Sequence, residues 1–142
     1  MNKYLELKTK QQKETDAFPI GVCFSYKQFE DMMAKWNLTV NDTDKICSVG
    51  GGCYIRKSDK DAFLNMFKRF EKEKKDAINK DKTGDGFIYD MFIYELANHE
   101  YCITYDTAET FDALGITQEE IDKDSRLSHG LKKAIKNYLR NF

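Results

Sequence analysis

Gly86-Phe87-Ile88-Tyr89-Asp90-Met91-Phe92-Ile93-Tyr94-Glu95-Leu96-Ala97 is the stretch that decides how this chain folds. On a 3.6-residue period, Phe87, Ile88, Met91, Phe92, Ile93, Tyr94, Leu96 and Ala97 surround the helix almost completely. A helix apolar on every side has no solvent face, so it becomes the centre of a core that other elements wrap. It starts near Asp85 or Gly86, after a turn rich in Asp and Gly.

On its C-terminal side the sequence predicts a short extended piece near Cys102-Ile103-Thr104, a helix over 107–114 and a turn near Gln118–Ile121. The last helix, from about Ser125, carries Leu127, Leu131, Ile135, Tyr138 and Leu139 as an apolar stripe with bases opposite. On the N-terminal side, Ser58 and Asp61 have the spacing of a capping box before a long helix to about Asn79. Its apolar face is Phe63, Met66, Phe67 and Phe70. Ile46-Cys47-Ser48-Val49 and Cys53-Tyr54-Ile55-Arg56 read as two strands around Gly50-Gly51-Gly52, a run that supplies the positive φ of a tight hairpin. Pro19 holds its predecessor out of the helical region, so Phe18–Phe24 reads as extended. Ser25 is an N-cap for a helix through Trp36, and residues 2–15 form a surface helix. The expected class is α+β: mainly helical, about six helices around a small two- or three-stranded antiparallel sheet.

The 142 residues, 1–142, fit a single domain and suffice to close a core. Hydrophobic residues are 41% and aromatics 13%, and Pro occurs once, a composition that folds rather than staying disordered. No apolar run approaches the ~20 residues that span a bilayer, and the opening Met1–Lys8 lacks a signal-peptide core. The expected location is therefore the cytoplasm of the cell, where Cys23, Cys47, Cys53 and Cys102 are thiols or metal ligands rather than disulfides.

Net charge is only −1, but it is unevenly divided. Residues 85–124 hold eleven acids and one base, Lys123, for −10; residues 125–142 hold Arg126, Lys132, Lys133, Lys136 and Arg140 without an acid, for +5. Such asymmetry speaks about partners rather than fold. Either the acids face a basic macromolecule, or the terminal helix folds back and cancels them.

Three constellations bear on chemistry. Asp81-Lys82-Thr83-Gly84-Asp85-Gly86 opens like a calcium-binding EF-hand loop, but Thr83 replaces an Asp or Asn and Phe92 stands where the bidentate Glu belongs. The competing reading is a Gly-containing turn in which Asp85 caps the next helix. Cys47, Cys53, His99 and Cys102 compose the Cys3His set of one structural zinc ion, with Cys23 or Glu95 as substitute ligands. The alternative makes the cysteines small core residues and lets Glu95 hydrogen-bond His99, four residues on. A Cys-His nucleophile pair, Cys102 with His99 or His129, has no supporting motif, so catalysis is not expected.

The run Asp81–Phe92, with Tyr94-Glu95-Leu96 and Asn98-His99-Glu100-Tyr101, resembles a family of small uncharacterised proteins of phages, prophages and mobile elements of Gram-positive bacteria. Lys3-Tyr4-Leu5-Glu6-Leu7-Lys8 and Ile55-Arg56-Lys57-Ser58-Asp59 are similar to it as well. The resemblance implies a counter-defence role: an anti-CRISPR protein directed at a type II effector nuclease in the bacterial host. Such nucleases hold guide and target in positively charged channels. The acids expected to meet that surface, and so to block loading of target DNA by occlusion, are Glu109, Asp112, Glu119, Glu120, Asp122 and Asp124. The alternative is a nucleic-acid-binding or zinc-containing regulator acting through the basic last helix. Direct nucleic-acid binding is the weaker expectation, because the adjoining acids repel phosphate.

Overall fold

The computed structural model describes residues 1–141. In chain order the elements are α1 (Lys3–Ala17), β1 (Gly21–Val22), α2 (Tyr26–Lys35), β2 (Ile46–Gly50), β3 (Cys53–Arg56), α3 (Lys60–Lys80), α4 (Phe87–Asn98), α5 (Tyr101–Thr104), α6 (Ala108–Leu114), α7 (Gln118–Lys123) and α8 (Ser125–Arg140). The class is the expected mainly helical α+β with a small antiparallel sheet. Eight helices stand among the described residues where about six were expected, because α5 replaces an extended piece and α7 a turn. The chain divides into two compact units: Gln11–Glu71, and Met1–Lys10 together with the chain from Lys72 onward.

In the first unit the strands run antiparallel in the order β1-β3-β2. Gly50, Gly51 and Gly52 take φ of +92°, +59° and +77°, a left-handed run that side chains with a Cβ resist. Met32, Met33, Ile55, Met66 and Phe70 are its buried apolar residues. Ser25 caps α2 by accepting the Gln28 N–H at 3.2 Å, as its sequence position predicts. Ser58 makes no such cap. It lies in a 3-10 turn, Lys57–Asp59, that runs directly into α3, and Asp59 pairs with Arg56 at 2.8 Å.

The second unit is built around α4. Ile88, Met91, Phe92 and Leu96 are fully shielded from solvent. Leu127, Leu131, Ala134 and Tyr138 of α8 close one side, and Phe111, Leu114, Ile116 and Ile121 of the α6–α7 segment another. Each large apolar side chain so buried contributes roughly 1.5–3 kcal/mol, against about 0–1 kcal/mol for an exposed ion pair. The core therefore sets the fold of this unit, and charge placement on its surface is left to other demands. Gly130 lets α8 approach α4: a Cβ there would stand 2.6 Å from Ile88 Cγ2 and 2.8 Å from the Gly84 carbonyl oxygen.

Candidate docking face and the charge network behind it

The acids of the second unit fall into two groups that the structure treats differently. Asp81 belongs to the inward group. Its Oδ1 accepts the backbone N–H of Gly84 at 2.9 Å and of Thr83 at 3.2 Å, and its Oδ2 those of Gly86 and Ile88, both at 3.0 Å. Burial pushes this carboxyl up, but the four N–H donors outweigh it and hold the pKa below the usual carboxylate range. Asp81 thus caps α4 from outside the helix. The expectation that Asp85 performs this cap is corrected: Gly86 is the N-cap residue, and Asp85 turns instead to Lys133 at 2.9 Å and His129 at 2.7 Å on α8. Arg126 completes the junction by donating to the carbonyl oxygens of Ile78 at 2.9 Å and Asp81 at 2.7 Å, at the C-terminal end of α3. The Ile78 carbonyl, in the last turn of α3, also accepts the Asp81 N–H at 3.2 Å, so the guanidinium adds a second donor where the helix ladder runs out.

Glu95 is the second inward acid, only 1% exposed on the face of α4. Tyr4 Oη donates to its Oε1 at 2.7 Å and Lys8 Nζ reaches the same atom at 3.1 Å, while His99 Nε2 lies 3.1 Å from Oε2. Tyr4 and Lys8 are one turn apart on α1, so a single helix face delivers a hydroxyl and a cation together. Burial raises the Glu95 pKa, but the hydrogen bonds from Tyr4 and Lys8 and the Lys8 charge more than reverse it, leaving it low. The carboxylate is paired rather than protonated, the requirement its apolar position imposes. Thr110, also buried, donates to the Glu95 carbonyl oxygen at 3.3 Å and ties α6 to α4.

The outward group lies on α6 and α7. Glu109, Asp112, Glu119, Glu120 and Asp122 are exposed. Their contacts are short-range: Glu119 with Lys123 at 2.7 Å, Asp122 with Gln118 at 2.8 Å, Glu120 with Thr117 at 3.3 Å, and Glu109 with His99 at 3.3 Å. Thr117 in turn accepts the Glu120 N–H at 3.1 Å, so its hydroxyl is the N-cap of α7 and donates to the Glu120 carboxylate. Among the described residues, none of these five carboxylates is paired with a base of α8. Asp124 leaves the expected docking set. It is the N-cap of α8, accepts the Arg126 N–H at 3.0 Å and pairs with the Arg126 guanidinium at 2.8 Å; that side-chain hydrogen bond is what chiefly holds its pKa low.

The residues considered for zinc are placed as follows. Cys47 and Cys53 lie in the sheet unit, where Cys47 stands opposite Ile55 and Cys53 opposite Gly50, so the two are not cross-strand neighbours. His99 and Cys102 lie in the helical unit, and both His99 ring nitrogens face carboxylates, Glu95 and Glu109. All four cysteines are half-buried free thiols, and among the described residues no group of three or more His, Cys, Asp or Glu side chains is arranged to hold a metal ion. His129 likewise faces Asp85. On α8, Arg126 and Lys133 are engaged inside the unit, while Lys132, Lys136 and Arg140 are exposed.

The model of one protein family matches residues 3–137. The chain belongs to DUF7659, a family of unknown function. No curated protein and no solved structure matches it. The DUF7659 match takes in the Asp81 turn, the Glu95 network and the α6–α7 acids alike. Among the described residues no helix is long and apolar enough to cross a membrane.

Sequence reading missed Asp81, Arg126, Tyr4 and Lys8 as members of these networks. The i, i+4 pair Tyr4/Lys8 was a legible signal, since Glu95 required a partner. Arg126 gave none, because its acceptors are backbone carbonyls.

Proposed function

We propose that this chain is a stoichiometric protein-binding inhibitor whose α6–α7 face docks on a strongly basic protein surface. We propose as its target a type II RNA-guided nuclease, in keeping with the resemblance to mobile-element proteins, and as its mode the obstruction of target-DNA entry. One observation carries the reading: five carboxylates, Glu109, Asp112, Glu119, Glu120 and Asp122, remain in solvent while the bases of α8 are either turned to other acids or exposed. Exposed acids of one sign steer association with a cationic partner and discriminate against phosphate. The contact needs no catalytic group. Near-neutral total charge suits a mixed protein contact better than imitation of a whole duplex.

Co-purification from cells expressing a type II effector, with and without guide RNA, tests the proposal. A one-to-one complex that weakens with rising salt and no longer loads target DNA is the expected result. Failure to recover any complex in either condition would remove this function.

A further inference from the structure

The short helix α5 ends in residues with no place in the core. Ile103 is 71% and Tyr105 66% exposed, two large side chains held out on one turn. Glu100 before the turn and Tyr105 after it both adopt left-handed backbone, with φ of +53°. The turn is closed by Tyr105 N–H to the Tyr101 carbonyl at 2.8 Å and Ile103 N–H to that of Glu100 at 2.9 Å. The Tyr105 ring stands edge-on to Tyr101, with centroids 5.7 Å apart at 89°. The Tyr105 side chain thus combines one aromatic contact with broad exposure to solvent.

The surroundings say what it would meet. Glu100, Asp106, Glu109 and Asp112, all exposed, flank the turn in sequence, and no base occurs between Glu100 and Asp112. By contrast, the exposed apolar residues Val22, Phe24 and Tyr26 of the other unit are followed by Lys27, Glu30 and Asp31, charges of both signs that specify no occupant. An exposed aromatic side chain flanked in sequence by exposed carboxylates fits guanidinium groups, which stack on the ring and bond carboxylates bidentately; an ammonium does the second less well and is more strongly hydrated. Tyr and Arg are also the residues that most often dominate interface energy.

We propose that Ile103 and Tyr105 are the anchor of the docking face, seated in a groove of the partner protein that presents arginine. This rests on the acidic-face reading above and names the chemistry of the partner surface. The same carboxylates repel phosphate and so disfavour nucleic acid as occupant.

The test uses the full chain and two defined probes, a ten-residue oligo-arginine and a ten-residue oligo-lysine peptide, titrated at low salt by calorimetry. The intact protein is expected to bind the arginine peptide at least about fivefold more tightly. The double variant Ile103→Ser/Tyr105→Ser, its fold checked by circular dichroism, should lose that preference yet keep binding both peptides. A variant with Asp112, Glu119 and Asp122 each changed to Lys should bind neither. Equal affinity of the intact protein for the two peptides, or an arginine preference surviving in the double variant, overturns the anchor while leaving the acidic face standing. Binding unaffected by the triple change overturns the acidic face and the anchor with it.

Discussion

The α3–α4–α8 junction and the α6–α7 face carry acids at similar density and put them to opposite use. At the junction, Asp81, Asp85 and Asp124 each meet backbone N–H groups or a base of α8, and Glu95 is sealed beneath Tyr4 and Lys8. On α6–α7 the carboxylates meet only neighbours on their own helix, a residue just before it, or His99. The difference teaches that charge count says little until each acid is asked what donors the fold brings to it. Inward acids fix helix ends or, as Glu95 does, tie one helix to another; outward acids are left exposed to be read by a partner.

The comparison can be broken most forcefully at the junction. Gly84→Ala should cost about 4 kcal/mol, because φ there is +90° and the new Cβ would lie 2.3 Å from the Arg126 carbonyl oxygen. Urea unfolding measures it, and a loss below about 1 kcal/mol would mean the junction is loosely built. Asp81→Ala should follow at about 3 kcal/mol by stranding up to four N–H donors. Glu95→Ala should cost about 2–3 kcal/mol, reduced from a fully buried pair because Lys8 is partly solvated.

Acid titration separates the two groups without mutation. Asp81 and Glu95 have pKa values depressed in the folded chain, so their stabilisation is complete above the ordinary carboxylate range, about pH 4, and is lost as pH falls through the depressed values. Melting temperature should fall in that acid window, and less steeply in Asp81→Asn. A fall of the same steepness in both proteins would contradict the assignment.

The sharpest local contrast is between two acids a pair of residues apart. Asp124→Ala should remove about 1 kcal/mol as a lost N-cap, whereas Asp122→Ala should leave melting within about 3 °C of the parent. The zinc content of protein purified without added metal decides whether Cys47, Cys53, His99 and Cys102 hold a metal: about one equivalent per chain is the result a tight structural site requires, and less than about half refutes it. If His99 is among the ligands, one of its ring nitrogens must give up the carboxylate it now faces, Glu95 or Glu109.

Much of the fold was legible. The all-round apolar α4, the glycine hairpin and the Ser25 cap each follow from one local rule, periodicity, positive φ or a side-chain acceptor. What escaped is what depends on distant partners. Asp85 looked like the cap of α4 by adjacency, yet Asp81 holds that place because the Gly84 and Gly86 turn folds the backbone back over its carboxylate. Ile103 and Tyr105 escaped because reading 102–104 as extended leaves out the single helical turn, closed by left-handed Tyr105, on which both are exposed. The α6–α7 acids were legible as a charge block, but only coordinates separate Asp124 from Asp122.

The most direct test is the affinity of the Asp112→Lys/Glu119→Lys/Asp122→Lys variant for a guide-loaded type II effector, with its melting temperature measured alongside. The account predicts binding weakened at least tenfold with melting nearly unchanged. Parent-like affinity in a folded variant would contradict it.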